Sequence, residues 1–265
     1  MPILFTRLHH DRLNSAPAHR SALAFHWYHG TALSNQLLSR AHETLSSTDR
    51  DALWAASTLL GTAAFANIET SKFYEVWPMK GTGVMDLDWL KMGHGKQVIW
   101  KITDPARKES VIHPLVIEMT YPNVPSGQAP ILWGSSPPFF CSVFGLSYNS
   151  TQADNPYHVA ASILAQIFYE NVDESTVYRF LSFVGRIDAR YKCLLEKKEP
   201  RALLLLCYWY AKMTMSASWW QRKRAIVEGF AICIYLETFC SDNDSILALL
   251  VYPREVFKRA QECTM

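Results

Sequence analysis

Apolar residues recur at helical spacing through both halves of the chain. Across 22–45, Leu23, Trp27, Leu37 and Leu38 fall near one face, with Gly30 and Ser34 between them as a notch of small residues where a second helix can approach closely. The next segment opens with Ser47-Thr48-Asp49, good N-cap chemistry, and places Leu53, Ser57, Leu60, Gly61, Ala64, Phe65 and Ile68 at i, i+4, i+7 steps, so a second core helix is predicted. The middle differs. Gly81, Gly83, Gly93, Gly95 and a dense set of prolines from Pro105 to Pro138 interrupt any long element, leaving room for short helices over 86–100 and 110–118. From about 119 to 155 a Pro-rich irregular segment is predicted, and its aromatics Trp133, Phe139 and Phe140 argue for packing.

Helical patterning returns after Asn155-Pro156, a pair that starts a helix by capping and fixed φ. Helices are predicted over 157–171, 177–197, 201–213, 219–239 and 245–259, with Val227, Phe230, Ala231 and Ile234 giving i, i+3, i+4, i+7 in the fourth. The stretch from 199 to 236 reads as a buried helical hairpin. The fold class expected is all-α: one irregular multi-helix domain spanning 1–265 with a Pro-rich irregular insertion and no internal repeat.

Composition changes this picture little. With 265 residues, 49% hydrophobic, 19% charged and a net charge of +2, the chain can bury its core without a metal or a disulfide to staple it. That balance argues against direct nucleic-acid binding, which needs clustered Lys and Arg to displace counterions. The one basic cluster, Arg222-Lys223-Arg224, is expected to decorate an exposed helix side. The apolar run at 202–211 is far shorter than the roughly 20 residues a membrane span requires, so no membrane partner is expected.

Six cysteines at 141, 193, 207, 233, 240 and 263 show no zinc-ligand spacing and read as buried free thiols in a reducing compartment. No basic segment followed by an apolar run opens the chain, so nucleus or cytoplasm is expected rather than secretion. The sequons at Asn149 and Asn243 are then chance matches.

His26 and His29 sit three apart on one predicted helix, a spacing that can hold a metal only with further ligands, and none is supplied, so no metal is expected. His9-His10-Asp11 cannot form a local relay because sequence neighbours point to different sides of a helix. Arg224 and Glu228 lie one turn apart beside Trp219 and Trp220. They are either an intrahelical ion pair with aromatic packing or a charged pair able to orient or protonate a ligand at a pocket's edge. No phosphate loop, nucleophile elbow or zinc-peptidase helix is present, and no cofactor is expected.

The stretch Glu199-Pro200-Arg201 through Lys212, then Trp219-Trp220, Arg224-Ala225-Ile226-Val227-Glu228 and Ala231 to Leu236, resembles the end of the regulatory domain of fungal zinc-cluster transcription factors, the sterol-uptake regulators of yeasts among them. Asp51 to Ser57, Leu59-Leu60 and Ala64 to Ile68 resemble that family's central helix. The segment after it is matched by Glu75, Trp77-Pro78, Asp86 to Leu90, Gly95-Lys96, Trp100, Asp104-Pro105, Arg107 and Ser110. The similarity runs from about Leu8 to about Pro253 and is weakest across the Pro-rich middle. The family's six closely spaced cysteines, its DNA reader, are missing here. The family's regulatory domain also carries further helices before the position of Leu4, which implies either a fragment or a scaffold trimmed to stand alone.

The resemblance implies a helical domain that responds to a ligand or contacts a protein. Combined with nine tryptophans and 13% aromatic residues, it implies an apolar pocket lined by some of Trp54, Phe65, Tyr208, Trp209, Met213, Trp219, Trp220 and Phe230. The few polar groups near it are expected among His26, His29, Arg224 and Glu228, which are also the catalytic candidates. Three functions stay open at this level. The first is a domain binding an apolar small molecule, with a protein partner or a second copy as its output. The second is a cofactor-independent enzyme guiding cyclisation or isomerisation of a polycyclic, polyketide or terpenoid intermediate in secondary metabolism. The third is a protein-interaction scaffold.

Overall fold

A computed structural model of the chain describes residues 17–40, 42–68, 70–81, 87–120, 140–173, 176–216 and 218–262. Among them are eleven α-helices, two short 3-10 turns and no strand. The His9-His10-Asp11 reading, Trp133, Phe139, Cys263 and most of the Pro-rich insertion lie outside the described residues. The chain divides into two compact units, one drawn from Met1–Asn67 with Asp88–Pro122, the other from Ile68–Leu87 with Asn123–Met265.

Unit one contains α1 (Pro17–Leu38), α2 (Ser47–Ala66), α3 (Asp88–Thr103) and α4 (His113–Thr120). On α1 the described residues that bury fully are Gly30 and Ser34, the notch the sequence marks, and the Ser34 hydroxyl donates to the Gly30 carbonyl at 2.9 Å. The cap of α2 falls one residue earlier than expected. Ser46 and Asp49 form a reciprocal capping box, each side chain accepting from the other's backbone N–H. Leu45, Leu53, Trp54, Ile99 and Val116 form the apolar core. At Gly61 an added Cβ would come within 2.8 Å of the far end of the Lys96 side chain, a contact that the flexible lysine can relieve by shifting. Burial holds the Lys96 ammonium below its usual range.

A buried carboxylate fastens the end of α3 to the start of α2. Asp51 Oδ1 accepts from Arg107 Nη2 at 2.6 Å and from Ser110 Oγ at 2.7 Å, while Oδ2 accepts from the Val111 N–H at 3.2 Å. Arg107 also donates to the carbonyls of Thr103, Asp104 and Ser47 at 2.7, 3.0 and 2.7 Å. Burial alone would raise the Asp51 carboxyl. The bonds from Ser110, Val111 and Arg107 outweigh burial and hold it below the ordinary carboxylate range.

Unit two contains α5 (Phe140–Val143), α6 (His158–Ile167), α7 (Val177–Arg186), α8 (Ala189–Glu196), α9 (Pro200–Met213), α10 (Trp219–Phe239) and α11 (Asp244–Glu262). Asn155 organises the entry to α6: its side chain donates to the Phe144 and Gly145 carbonyls and accepts from the Tyr157 N–H at 2.8 Å. The single helix predicted over 177–197 is two. Ile187 is extended, and Asp188 caps a new start by accepting from the Tyr191 N–H at 2.8 Å, so local side-chain chemistry overrides continuous periodicity.

Apart from Lys212, helix α9 is apolar on every side from Ala202 to Met213, and it is buried along that whole length, the expected fate of such a helix. Glu199 caps it by accepting from the Ala202 N–H at 2.8 Å, Pro200 occupies its first turn, and Arg201 pairs with Glu199 at 3.0 Å, so Glu-Pro-Arg is a helix start. Helices α6, α7, α8, α10 and α11 pack around it. On α10, Gly229 admits the Phe257 ring of α11 where a Cβ would meet ring atoms at 2.2 to 2.9 Å. The segment from Ile68 covers the opposite side of α10, with Val76, Val227 and Ala231 buried together and Ile68, Phe73 and Met79 packed against them.

Candidate functional site

The hairpin of α9 and α10 carries a polar cluster inside an apolar unit. Glu228 and Arg224 are one turn apart on α10, with side chains 4% and 8% exposed, and their carboxylate and guanidinium are hydrogen-bonded. Tyr210 of α9 donates its hydroxyl to the second Glu228 oxygen at 2.5 Å. Both oxygens of the carboxylate are engaged, and the cluster as a whole is neutral. Burial, reinforced by the Glu228 charge and opposed by that of Arg224, pushes the Tyr210 phenol well above its usual value, so it remains a donor at neutral pH. Removing one member of such a buried pair strands the other, at a cost of about 3–5 kcal/mol.

One turn before Arg224 on the same face lies Gln221, completely buried, whose amide nitrogen and oxygen both lack a hydrogen-bond partner among the described residues. The spacing 221, 224, 228 is i, i+3, i+7, so the three side chains share the buried face of α10. Polar groups of the α9–α10 connection are engaged elsewhere. Thr214 donates to the Ala211 carbonyl at 2.7 Å, and the Ser216 hydroxyl accepts from the Ser218 N–H at 3.1 Å. An unsatisfied buried amide costs about 1–3 kcal/mol.

The basic cluster is not the exposed decoration its charge suggests. Arg224 is buried, Arg222 and Lys223 are half-buried, and Lys223 donates to the Ile68 carbonyl at 2.8 Å. Gln221 is the functional candidate that sequence reading passes over. Its register with Arg224 and Glu228 is the only signal, and a glutamine beside three basic residues reads as surface.

The other candidates are distributed by the fold. Tyr208, Trp209 and Met213 are fully buried around α9. The polar tips of the two aromatics are satisfied, Tyr208 donating to the Leu249 carbonyl at 2.7 Å and Trp209 to the Phe180 carbonyl at 2.8 Å. Trp209 stacks on Phe183 with centroids 5.3 Å apart. Trp219 and Trp220 are half-buried on the first turn of α10, immediately before Gln221. Phe230 faces away from the cluster, against Phe73 at 5.3 Å and under the Arg254 guanidinium at 5.5 Å.

Trp54 and Phe65 belong to unit one, Trp54 in its core and Phe65 edge-on to Trp89 at 5.0 Å. His26 and His29 are also in unit one, where Phe25 packs on both rings at 5.4 and 4.2 Å. Among the described residues no three His, Cys, Asp or Glu side chains gather as a metal would require, and no helix is long and apolar enough to cross a membrane.

Of the cysteines, Cys207 and Cys233 are buried as expected and lie 3.6 Å apart as free thiols, with burial raising the Cys207 thiol. Cys141 and Cys240 are only half-buried, and Cys193 is exposed because it occupies the outer side of the short helix α8. An open groove lies between Gln152-Ala153 and Asp188-Ala189-Arg190. It has no aromatic wall, and its Arg190 is engaged by the Ala153 and Gln152 carbonyls.

No protein-family model matches the chain, and neither does any curated protein or solved structure.

Proposed function

We propose that unit two binds an apolar small molecule between its helices, in the manner of the regulatory domains of fungal zinc-cluster transcription factors that the sequence resembles, and that the chain itself does not read DNA. One observation carries this reading: a completely buried Gln221 amide with neither end partnered, set beside the Arg224–Glu228–Tyr210 cluster and the half-buried Trp219 and Trp220. Apolar walls supply affinity, and one or two buried hydrogen bonds fix orientation. The cyclase or isomerase reading is less well supported, because acid–base chemistry wants a group titrating near neutrality. Tyr210 is held protonated, and both oxygens of Glu228 are engaged.

The test is native mass spectrometry of the full chain purified from a fungal host, followed by titration with fluorescent polycyclic probes. One equivalent of a small neutral molecule, or saturable probe binding, is expected. A chain that carries nothing and binds no probe rules the reading out, and conversion of a bound polycycle to a product would transfer it to the enzyme class.

A further inference from the structure

The chemistry around Gln221 narrows what the ligand must present. We infer that the ligand's polar end is a neutral group that donates and accepts a hydrogen bond at once, a hydroxyl or a carboxamide, and that it docks on the Gln221 side chain; this rests on the binding reading above. A primary amide offers one acceptor oxygen and a donor nitrogen, and at Gln221 both are buried without a partner. An ether or a ketone answers only the nitrogen and leaves the oxygen stranded. A hydroxyl or a carboxamide answers both, whichever way the Gln221 amide is turned.

Charge excludes the anionic alternatives. Arg224 is the nearest cation on this face of α10, and Glu228 neutralises it through one oxygen while its other oxygen takes the Tyr210 proton. A carboxylate or phosphate brought to Gln221 would therefore add a buried negative charge on a face whose guanidinium, that of Arg224, is already neutralised by Glu228. The other buried cation of the hairpin, Lys212, donates to the Glu170 carbonyl at 2.9 Å and lies 5.8 Å from each of the Phe168 and Phe180 ring centres. Lys223 is held by the Ile68 carbonyl. The hairpin thus places a two-way neutral hydrogen-bonding group where a charge-seeking site would hold an unpaired cation.

The experiment titrates the full chain with four pyrenes that differ only in head group: pyrenemethanol, pyrenecarboxamide, methoxymethylpyrene and pyrenecarboxylate, read by pyrene and tryptophan fluorescence. The alcohol and the carboxamide should bind roughly 10-fold to 100-fold more tightly than the ether, and the carboxylate most weakly. Gln221→Met, which keeps the side-chain length and removes the amide, should bring alcohol and ether to within about 3-fold of one another without lowering Tm. Equal binding of all four by the wild-type chain, tightest binding of the carboxylate, or a preference that survives Gln221→Met overturns this inference and leaves the binding reading standing. A Gln221→Met chain that melts several degrees lower also overturns it, since the amide would then have a structural partner. Absence of saturable binding by any pyrene removes the binding reading and this one together.

Discussion

Among the described residues the Asp51–Arg107 pair of unit one and the Arg224–Glu228 pair of unit two are largely enclosed, and the two are built to different ends. In unit one Asp51 and Arg107 join segments 56 residues apart, Asp51 meeting three donors and Arg107 donating to three carbonyls as well as the carboxylate. In unit two Arg224 and Glu228 sit on one helix, Tyr210 reaches Glu228 from the neighbouring helix, and the next polar side chain on that face, Gln221, is left unanswered. A closed network fixes a fold. An open one leaves desolvated donors and acceptors that are costly until something meets them.

Removing Glu228 should give the largest effect. Glu228→Leu removes the carboxylate paired with the buried Arg224 guanidinium and should cost about 3–5 kcal/mol in urea unfolding, whereas Arg224→Met with Glu228→Leu should recover most of that loss. If the double variant is as unstable as the single one, the pair has a role beyond cancelling its own charge. Asp51→Ala should cost less, about 2 kcal/mol, because Arg107 keeps three backbone carbonyls when the carboxylate is gone. Hydrogen exchange would assign each loss to its unit, α9 amides for Glu228 and α2 amides for Asp51. Equal effects would erase the distinction between the two networks.

Packing sets a third expectation of similar size. Gly229→Ala ought to stabilise an exposed helix by about 1 kcal/mol, yet here the added methyl meets the Phe257 ring, so a net loss of roughly 1–3 kcal/mol is expected. A neutral or stabilising result would mean that α11 shifts freely against α10 and that the hairpin is not a rigid platform for Gln221.

The smallest effects are pH-dependent and have opposite signs in the two units. The Asp51 carboxyl is lowered in the fold, so its contribution is present above the unfolded value of about 4 and is lost as pH falls through the folded value. Asp51→Asn should therefore flatten the acid limb of stability. Tyr210 is raised, so its contribution is complete below the unfolded value of about 10 and is lost as pH rises beyond it. Tyr210→Phe should leave the acid limb unchanged and flatten the alkaline one. An acid limb that responds to Tyr210→Phe would contradict the assignment of Tyr210 as a fixed donor.

Much of the fold is legible along the chain. The helix starts near Ser46 and Asn155, the notch at Gly30 and Ser34, and the all-buried α9 follow from spacing and capping, which act over a few residues and are written in consecutive positions. Even the break at Asp188 has a local signal, an Asp able to cap, though helical periodicity on both sides masks it.

Burial of the polar residues is another matter. The sequence by itself determined the all-α class seen among the described residues, the order and approximate bounds of most of their helices, and the one-turn spacing of Arg224 and Glu228. Only the tertiary structure decided that this pair lies inside, that Asp51 meets Arg107 and Ser110 from 56 and 59 positions away, that Phe257 occupies the space at Gly229, and that Gln221 is enclosed without a partner. The reason is range: dihedral preference, capping and i, i+4 contact depend on neighbours in sequence, whereas desolvation of a side chain depends on what distant segments lay over it.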